Sequence, residues 1–251
     1  GGTYVVDGPG DAGRFWEVVR ARSVTVATLF PNAFDIVGHP DTGKSSHSIR
    51  LAFAQQTNDA LLQALPHATV ATSYGATELG GMALVAFGDE CGRPGSVLGR
   101  PLVSMAVAVL DDNDQPVADG QVGELCFRGA STTPGYWKLP EASAEVSRNG
   151  WLHTGDLGRE DPDGLVFFVD RKKDMVKPGG ENVYSAEVEF ALLTHPAVVE
   201  CAVIGVPDDR WGEAVKAVVV AREKVSAEDL DLWCLDRLAA FKRPRWYGFV
   251  A

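Results

Sequence analysis

Three short segments carry residues whose types and spacing suit nucleotide chemistry. The first is TSYGATELGG, residues 72–81, whose strand-like part ends at Tyr74 and Gly75 before Thr77 and Glu78. An aromatic ring at a strand end can stack on a base, and a hydroxyl can bind a phosphate oxygen. Proteins commonly hold Mg²⁺ with a few carboxylates and phosphate oxygens, and Glu78 could supply one carboxylate. Taken alone, the segment also fits a glycine turn with polar surface residues.

The second segment is GWLHTGDLGREDPDG, residues 150–164. Asp156 follows a glycine at what the pattern predicts to be the end of a strand. A carboxylate in that position can accept hydrogen bonds from both hydroxyls of a ribose, as acidic residues do in other nucleotide-binding folds. The alternative is a turn aspartate that binds its own backbone.

The third segment is DRKKDMVKPGGENVYSAEVE, residues 170–189, which sets a basic cluster inside an acidic chain. Gly179 and Gly180 allow another group to approach the backbone closely. A helix is predicted to begin at Ser185, which would cap it. Basic side chains, a glycine loop and a helix start together suit an anion, although basic runs are usually solvated linkers. The basic residues are Arg171, Lys172, Lys173 and Lys177.

A fourth segment, GHPDTGKSS at residues 38–46, fits the phosphate-loop pattern G-x-x-x-x-G-K-S. A phosphate loop connects a strand to a following helix. Here a helix-like stretch precedes the loop and a strand-like stretch follows it, and Pro40 removes a backbone donor from the would-be cradle. We therefore interpret this segment as an exposed loop that does not hold phosphate.

The composition is that of an ordinary globular protein, with 45% hydrophobic and 23% charged residues among 251. The net charge of −11 disfavours nonspecific binding to nucleic acid or to an anionic membrane. No apolar run is long enough to span a bilayer. The cysteines are widely spaced in apolar runs, which favours buried free thiols in a reducing compartment. We expect a cytoplasmic protein with no nucleic-acid partner and no transmembrane segment, and its oligomeric state stays open.

The pattern of elements predicts an α/β (α+β) fold in three parts. Residues 1–95 alternate strand-like and helix-like stretches, as in the mostly parallel layer of a large domain. Residues 96–171 contain strands separated by turns such as DPDG, which predicts an antiparallel, barrel-like section of that domain. Residues 172–251 predict a small, incomplete α+β C-terminal domain, with a helix in which Ser226 and Asp229 form a capping box.

In this order, the segments resemble the adenylate-forming enzymes, a superfamily of acyl-CoA synthetases, luciferases and peptide-synthetase adenylation domains. SYGATE resembles their Tyr-Gly-x-Thr-Glu motif, GELCFRGASTTPGYWKLPEAS their Gly-Glu-Leu…Gly-Tyr…Pro-Glu segment, and GWLHTGDLG their Thr-Gly-Asp motif. DRKKDMVKPGGENVYSAEVE resembles their hinge and following loop. HPAVVECAVIGVPDDRWGEAVKAVVV and FKRP resemble their small C-terminal domain, so the similarity covers the whole chain.

The resemblance implies an acyl-CoA synthetase, an ATP-dependent acid–thiol ligase that forms AMP. A carboxylic acid and Mg²⁺-bound ATP give an acyl-adenylate and pyrophosphate, and coenzyme A as co-substrate then takes the acyl group. Lys173 would be the hinge residue about which the small domain rotates, and Gly179 and Gly180 would border the pantetheine tunnel. The nucleotide roles it implies are Tyr74 and Gly75 at adenine, Thr77 at phosphate, Glu78 at Mg²⁺, and Asp156 and Arg171 at the ribose.

The chain also departs from the family pattern. The family's phosphate loop lies upstream of the matched region, and its terminal catalytic lysine lies just beyond Ala251. Residues 54–59, AQQTND, place Gln55 and Gln56 where many members have Gly-Gly-Ala-Pro. We therefore expect a C-terminal fragment that adenylates poorly by itself.

Other functions stay open at this level. The chain could be a noncatalytic fragment or pseudoenzyme that binds a nucleotide or a partner, or an adenylating enzyme with another acceptor. The hinge segment looks more like that of CoA ligases than that of peptide synthetases. The acid itself, aryl or short, medium or long-chain, is not indicated.

Overall fold

The computed structural model describes residues 12–29, 47–54 and 59–250, together with positions 2, 3, 5, 36, 38 and 39. Most of the GHPDTGKSS loop, and both Gln55 and Gln56, lie outside the described residues. The chain divides into two compact units. The first comprises Gly1–Gln121, Leu125–Thr154 and Arg159–Phe168, and the second comprises Val122–Glu124, Gly155–Gly158 and Val169–Ala251.

Helices and strands alternate along the first part of the chain. The described helices are α1 Ala12–Arg22, α2 Asp59–Ala64 and α3 Pro140–Val146. The strands are β1 Val26–Thr28, β2 Leu51–Ala54, β3 Thr69–Ala76, β4 Gly81–Phe87, β5 Ser96–Pro101, β6 Met105–Leu110, β7 Gly123–Gly129, β8 Ser147–Arg148, β9 Trp151–Glu160 and β10 Val166–Arg171.

These strands form one mixed sheet in the order β1-β2-β3-β4-β5-β10-β9-β7-β6, with β8 paired to β9. The first three strands pair in parallel, as the alternating pattern predicts. From β3 to β4, β4 to β5 and β5 to β10 the pairing is antiparallel. The mixed α/β class is therefore confirmed, whereas the described strands form an open path and not a closed barrel.

The core of the first unit follows this change in sheet type. One cluster packs α1 and α2 over the parallel strands, with Trp16, Leu61 and Val70 at its centre. A second cluster fills the antiparallel part around Leu84 and Phe127. Burial of such large apolar side chains is the main favourable term in folding.

The second unit has its own core. Strands β11 Val198–Asp208, β12 Gly212–Ala221 and β13 Trp246–Val250 form a three-stranded sheet in that order. Helices α4 Ser185–Leu193 and α5 Ala227–Leu235 contribute to the apolar cluster of this unit. The predicted capping box of α5 is confirmed, because the side chains of Ser226 and Asp229 each bind the other residue's backbone N–H. The helix ends at Leu235, although the helix-like sequence pattern SAEDLDLWCLDRLAAF continues to Phe241.

The start of α4 differs from the prediction. Ser185 is the first helical residue and does not cap the helix, and the preceding Tyr184 makes no side-chain cap bond. The buried carboxylate of Asp170 accepts the Ser185 hydroxyl at 3.0 Å and the Ala186 N–H at 3.3 Å. It also accepts the Arg171 N–H at 2.8 Å. A charge distant in sequence thus satisfies donors that a helix leaves open at its start.

The four cysteines are free thiols, as predicted from their spacing. Cys91, Cys126 and Cys234 are buried, and Cys201 is half-buried. Burial raises the pKa of the Cys91 and Cys234 thiols, and it raises the pKa of Cys201 to about 11. Among the described residues, no helix combines the length and the apolar character needed to cross a membrane.

We expect Asp170→Ala to lower the free energy of local opening of α4 by about 1–3 kcal/mol, because buried donors would lose their acceptor. Hydrogen exchange of the amides of Ser185–Leu193 would measure this. Glu223→Ala is the control, since Glu223 is an exposed acid in a loop. Unchanged protection of α4 in Asp170→Ala would show that the carboxylate does not cap the helix.

Candidate functional site

The first candidate site is the turn between β3 and β4. Thr77–Leu79 form one turn of 3₁₀ helix, which Gly80 closes with a φ of 75° and an N–H donated to Thr77 O at 3.1 Å. A later loop fixes this turn, since Thr133 N–H donates to Glu78 O at 2.7 Å and Ser131 Oγ donates to Leu79 O at 2.9 Å. The turn is thus held through its backbone, and the side chains of Thr77 and Glu78 are not needed for these bonds.

A shallow cavity of about 750 Å³ opens beside this turn. Its walls are mainly small residues, so the backbone itself forms much of the surface. The lining residues are Ser73, Gly75, Ala76, Thr77, Gly80, Gly81 and Met82. Exposed backbone of this kind allows a flat or polar ligand to approach closely.

Gly75 occupies the tightest point of this surface. A Cβ atom at this position would lie 2.1 Å from Gly81 O and 2.9 Å from Met82 Cα. The register of β3 against β4 also shifts between Tyr74 and Gly75. Glycine is therefore required by the packing of the two strands, whatever ligand binds beside it.

The side chain of Tyr74 packs partly against the hydrophobic core. Its ring stacks on Phe127 with the centroids 5.7 Å apart and the planes at 21°. The side chain is half-buried, so the Phe127-facing side of the ring is closed to a base. The predicted contact with adenine would therefore use the ring's edge or its other side.

Glu78 is joined by a residue that sequence reasoning did not select. Tyr136 Oη donates to Glu78 Oε1 at 2.8 Å, although 58 positions separate the two residues. This hydrogen bond to the carboxylate raises the pKa of Tyr136. Among the described residues, Glu78 Oε2 has no hydrogen bond or ion pair. Tyr136 belongs to the Gly-Tyr part of the GELCFRGASTTPGYWKLPEAS segment, but no spacing rule links it to Glu78.

The second candidate site lies where β9 meets β10. The pattern suggested that a strand ends at Asp156, but β9 continues to Glu160. Gly155 has a φ of 74°, so the backbone changes direction locally without ending the strand. The structure places Asp156 Oδ1 3.5 Å from Arg171 Nε, which brings together the two residues that were predicted to share the ribose. Arg171 is the more exposed, at 60% against 18% for Asp156.

The basic cluster that follows is less free than its sequence suggests. Arg171 faces Asp156, and Lys172 Nζ lies 3.2 Å from Glu124 Oε2. Lys173 is exposed in the turn after β10, as a hinge residue would be. The start of α4 is already bound to the carboxylate of Asp170, so it does not offer the anion site that the sequence pattern suggested.

A third feature is a cavity of about 810 Å³ lined only by residues of the second unit. Gly179, with a φ of 61°, lies against Trp211, because a Cβ there would be 2.8 Å from Trp211 Cε3. The Gly179 N–H also donates to Trp211 O at 2.9 Å. Gly180 has a φ of 89° and open space around it. Aromatic and basic residues on the cavity wall include Trp211, Phe241, Arg243, Arg245 and Tyr247.

Comparison with known proteins supplies the context for these features. A family model described as AMP-binding enzyme matches residues 1–137, and one described as AMP-binding enzyme C-terminal domain matches residues 187–251. A medium/long-chain-fatty-acid–CoA ligase of Mycobacterium tuberculosis is 36% identical over 91% of this chain and 42% of its own length. A fatty acid–[acyl-carrier-protein] ligase of Streptomyces coeruleorubidus is 41% identical over 93% of this chain and 47% of its own.

A solved structure has the same fold. The o-succinylbenzoate coenzyme A synthetase of Bacillus subtilis, in complex with ATP and a magnesium ion, aligns with a TM-score of 0.85 at 28% identity. The alignment covers 96% of this chain and 51% of that one. The chain therefore spans about half the length of the proteins it resembles.

We expect Gly75→Ala to destabilise the first unit by about 1–3 kcal/mol, because the added methyl group would overpack two paired backbones. Urea unfolding followed by tryptophan fluorescence would measure this. Gly92→Ala is the matched control, since its added Cβ would find only Leu62 Cδ1 at 3.9 Å. Equal stability of the two variants would contradict the close approach of β3 and β4.

We expect Glu78→Gln to lower the pKa of Tyr136, because the phenolate would no longer form beside a carboxylate. The titration of ¹³C-labelled tyrosine by NMR would report this shift. Glu141→Gln, which changes a nearby acid without a bond to Tyr136, is the control. A Tyr136 titration that is the same in both variants would show that the hydrogen bond to Glu78 is not formed in solution.

Proposed function

Because the chain belongs to the AMP-binding enzyme family, we propose that it takes part in ATP-dependent activation of a carboxylic acid and transfer of the acyl group to a thiol. In the first step a carboxylate oxygen attacks the α-phosphorus of ATP, which forms an acyl-adenylate and releases pyrophosphate. In the second step the thiol sulfur attacks the acyl carbon, which forms a thioester and releases AMP and a proton. The pairing of Asp156 with Arg171 is the observation that best supports this proposal.

The Asp156–Arg171 pair suits a ribose chemically. The carboxylate offers two acceptor oxygens for the 2′ and 3′ hydroxyls, and the guanidinium offers planar donors. The contact with Arg171 would help to orient the Asp156 carboxylate before the ligand arrives. Its limited exposure strengthens hydrogen bonds to it, since water competes less for a group that is largely out of solvent.

The turn at Thr77 and Glu78 suits the phosphate end of the ligand. The Thr77 hydroxyl would donate to a phosphate oxygen, and Glu78 Oε2 would be a ligand of Mg²⁺, with Oε1 held by Tyr136. A carboxylate with one oxygen fixed and one open fits a cation that retains several waters. When bound, Mg²⁺ would supply neutralisation of the phosphate charge. Gly75 and Tyr74 would lie beside the adenine.

The cavity of the second unit suits coenzyme A as the thiol. Its exposed rings, Trp211 and Phe241, could stack on a base, and Arg243 and Arg245 could bind phosphates. Both arginines are positioned by acids, since Arg243 Nη1 lies 2.9 Å from Asp231 Oδ1 and Arg245 Nη1 lies 3.0 Å from Asp208 Oδ2. Gly179 and Gly180 would border the tunnel that admits the pantetheine arm. Lys173 would be the hinge residue about which the small domain rotates.

Two parts of the reaction, the acid and the acceptor, differ among the related proteins. A fatty or aromatic acid fits the range of acids named in the related proteins. A carrier-protein thiol is the second candidate acceptor, favoured by the 41% identity to a ligase of that name. We propose that the protein acts in the cytoplasm, where ATP, coenzyme A and reduced cysteines coexist.

We expect the chain to bind a non-hydrolysable acyl-adenylate analogue and Asp156→Ala to bind it at least about tenfold more weakly, which corresponds to about 1.4 kcal/mol. The physical reason is the loss of both acceptors for the ribose hydroxyls. Isothermal titration calorimetry would measure the affinities.

Asp119→Ala is the control for this measurement, because Asp119 is an exposed loop acid of the same type. No binding to the folded chain, or equal binding by Asp156→Ala and Asp119→Ala, would contradict the ribose assignment. In that case a noncatalytic role in binding a partner would become the better proposal.

A further inference from the structure

Glu124 is a buried acid at the start of β7, only 6% exposed, and it was not selected from the sequence. One oxygen, Oε1, accepts the Gly155 N–H at 3.0 Å. The other, Oε2, accepts Lys172 Nζ at 3.2 Å. A single carboxylate therefore binds the residue just before Asp156 and the residue just after Arg171.

A third bond connects the same two positions. The Lys172 N–H donates to Gly155 O at 2.8 Å. Glu124, Gly155 and Lys172 thus form a closed ring of hydrogen bonds that uses both the backbone and the Lys172 side chain. A shift of either segment would strain two of the three bonds, so the ring fixes the spacing of the segments that carry Asp156 and Arg171.

The backbone conformation explains why this ring is needed. Gly155 has a φ of 74°, which ordinary strand pairing does not hold. The bond to Glu124 satisfies the Gly155 N–H at this bend. The bend in turn sets the direction in which the next side chain, Asp156, leaves the strand.

The charges also match. A buried carboxylate is costly unless it is paired and hydrogen-bonded. Lys172 is 38% exposed, so its ammonium reaches the buried acid while part of the side chain stays in water. The positive charge of Lys172 therefore compensates the negative charge of Glu124. Arg171 pairs with Asp156.

We propose that Glu124 is a positioning residue for nucleotide binding, which holds Asp156 and Arg171 at the separation that a ribose requires. This inference rests on the proposed function, because it assumes that the pair binds a ribose. Glu124 itself would not touch the ligand.

The test compares two ligands on the full chain. One is the acyl-adenylate analogue with both ribose hydroxyls, and the other is its 2′,3′-dideoxy form. We expect Glu124→Gln to weaken binding of the first by about fivefold or more, since small displacements of positioned groups are costly. Binding of the dideoxy form should change by less than about twofold, because the contacts that Glu124 supports would be absent from that complex.

Glu187→Gln is the matched control, because Glu187 also pairs with a lysine of the second unit, Lys242, at 2.7 Å. It should leave both affinities unchanged. Equal weakening of both ligands by Glu124→Gln would show a general structural role and overturn the proposal. Unchanged affinity for the ribose ligand in a folded Glu124→Gln protein would overturn it as well.

Asp156→Ala separates this inference from the proposed function. If Asp156→Ala selectively loses the ribose ligand and Glu124→Gln does not, only the positioning role fails. If Asp156→Ala binds both ligands as the unaltered chain does, the ribose assignment itself fails and the positioning role with it.

Lys172→Met provides a second variant, which keeps the buried carboxylate and its bond to Gly155 while removing the ammonium. We expect the same selectivity for the ribose ligand with a smaller loss than in Glu124→Gln. Thermal unfolding of each variant would establish that it is folded at the temperature of the titration. No selectivity in the folded Lys172→Met protein would overturn the closed-ring argument.

Discussion

A buried carboxylate must be paired with hydrogen-bond donors, and the candidate site of the second unit depends on this constraint. Asp170 binds the start of α4 and the Arg171 N–H, and Glu124 binds Gly155 and Lys172. Arg171 therefore lies between two anchored positions, one on each side in sequence. Each acid is satisfied by several donors, which makes its burial tolerable and its location specific. The fold and the candidate site in this unit are stabilised by the same interactions.

In the first unit, the candidate turn is held by hydrogen bonds to its backbone and by close packing of two strands. Its turn at Thr77–Leu79 is held by backbone bonds from Thr133 and by the Ser131 hydroxyl, and the close approach of Gly75 to Gly81 fixes the strands around it. Two of the candidate side chains also make contacts within the protein: the Tyr74 ring stacks on Phe127, and Glu78 Oε1 accepts the Tyr136 hydroxyl. An open surface lined by small residues is suited to a ligand that is itself rigid and charged.

Local sequence patterns predicted several of the helices and strands and the change in sheet type. The parallel and antiparallel parts of the sheet and the capping box of α5 followed from periodicity and cap chemistry, which act over a few residues. The pairing of Asp156 with Arg171 could be expected only from the family resemblance. The bonds from Tyr136 to Glu78 and from Glu124 to Gly155 could not be predicted, because they join residues 58 and 31 positions apart through tertiary packing. The prediction that Ser185 caps α4 was wrong for the same reason. A cap rule considers only neighbouring residues, and the acceptor at this helix start is the carboxylate of Asp170, 15 positions away.

The state of the cysteines has a consequence for the chemistry proposed. An acyl-adenylate reacts with thiolates, and an enzyme that makes one must not be acylated on its own sulfur atoms. With the thiols of Cys91, Cys201 and Cys234 shifted by burial toward the neutral form, few of them are nucleophilic at neutral pH. If the chain takes part in the proposed reaction, burial of these three thiols would limit their acylation by the adenylate.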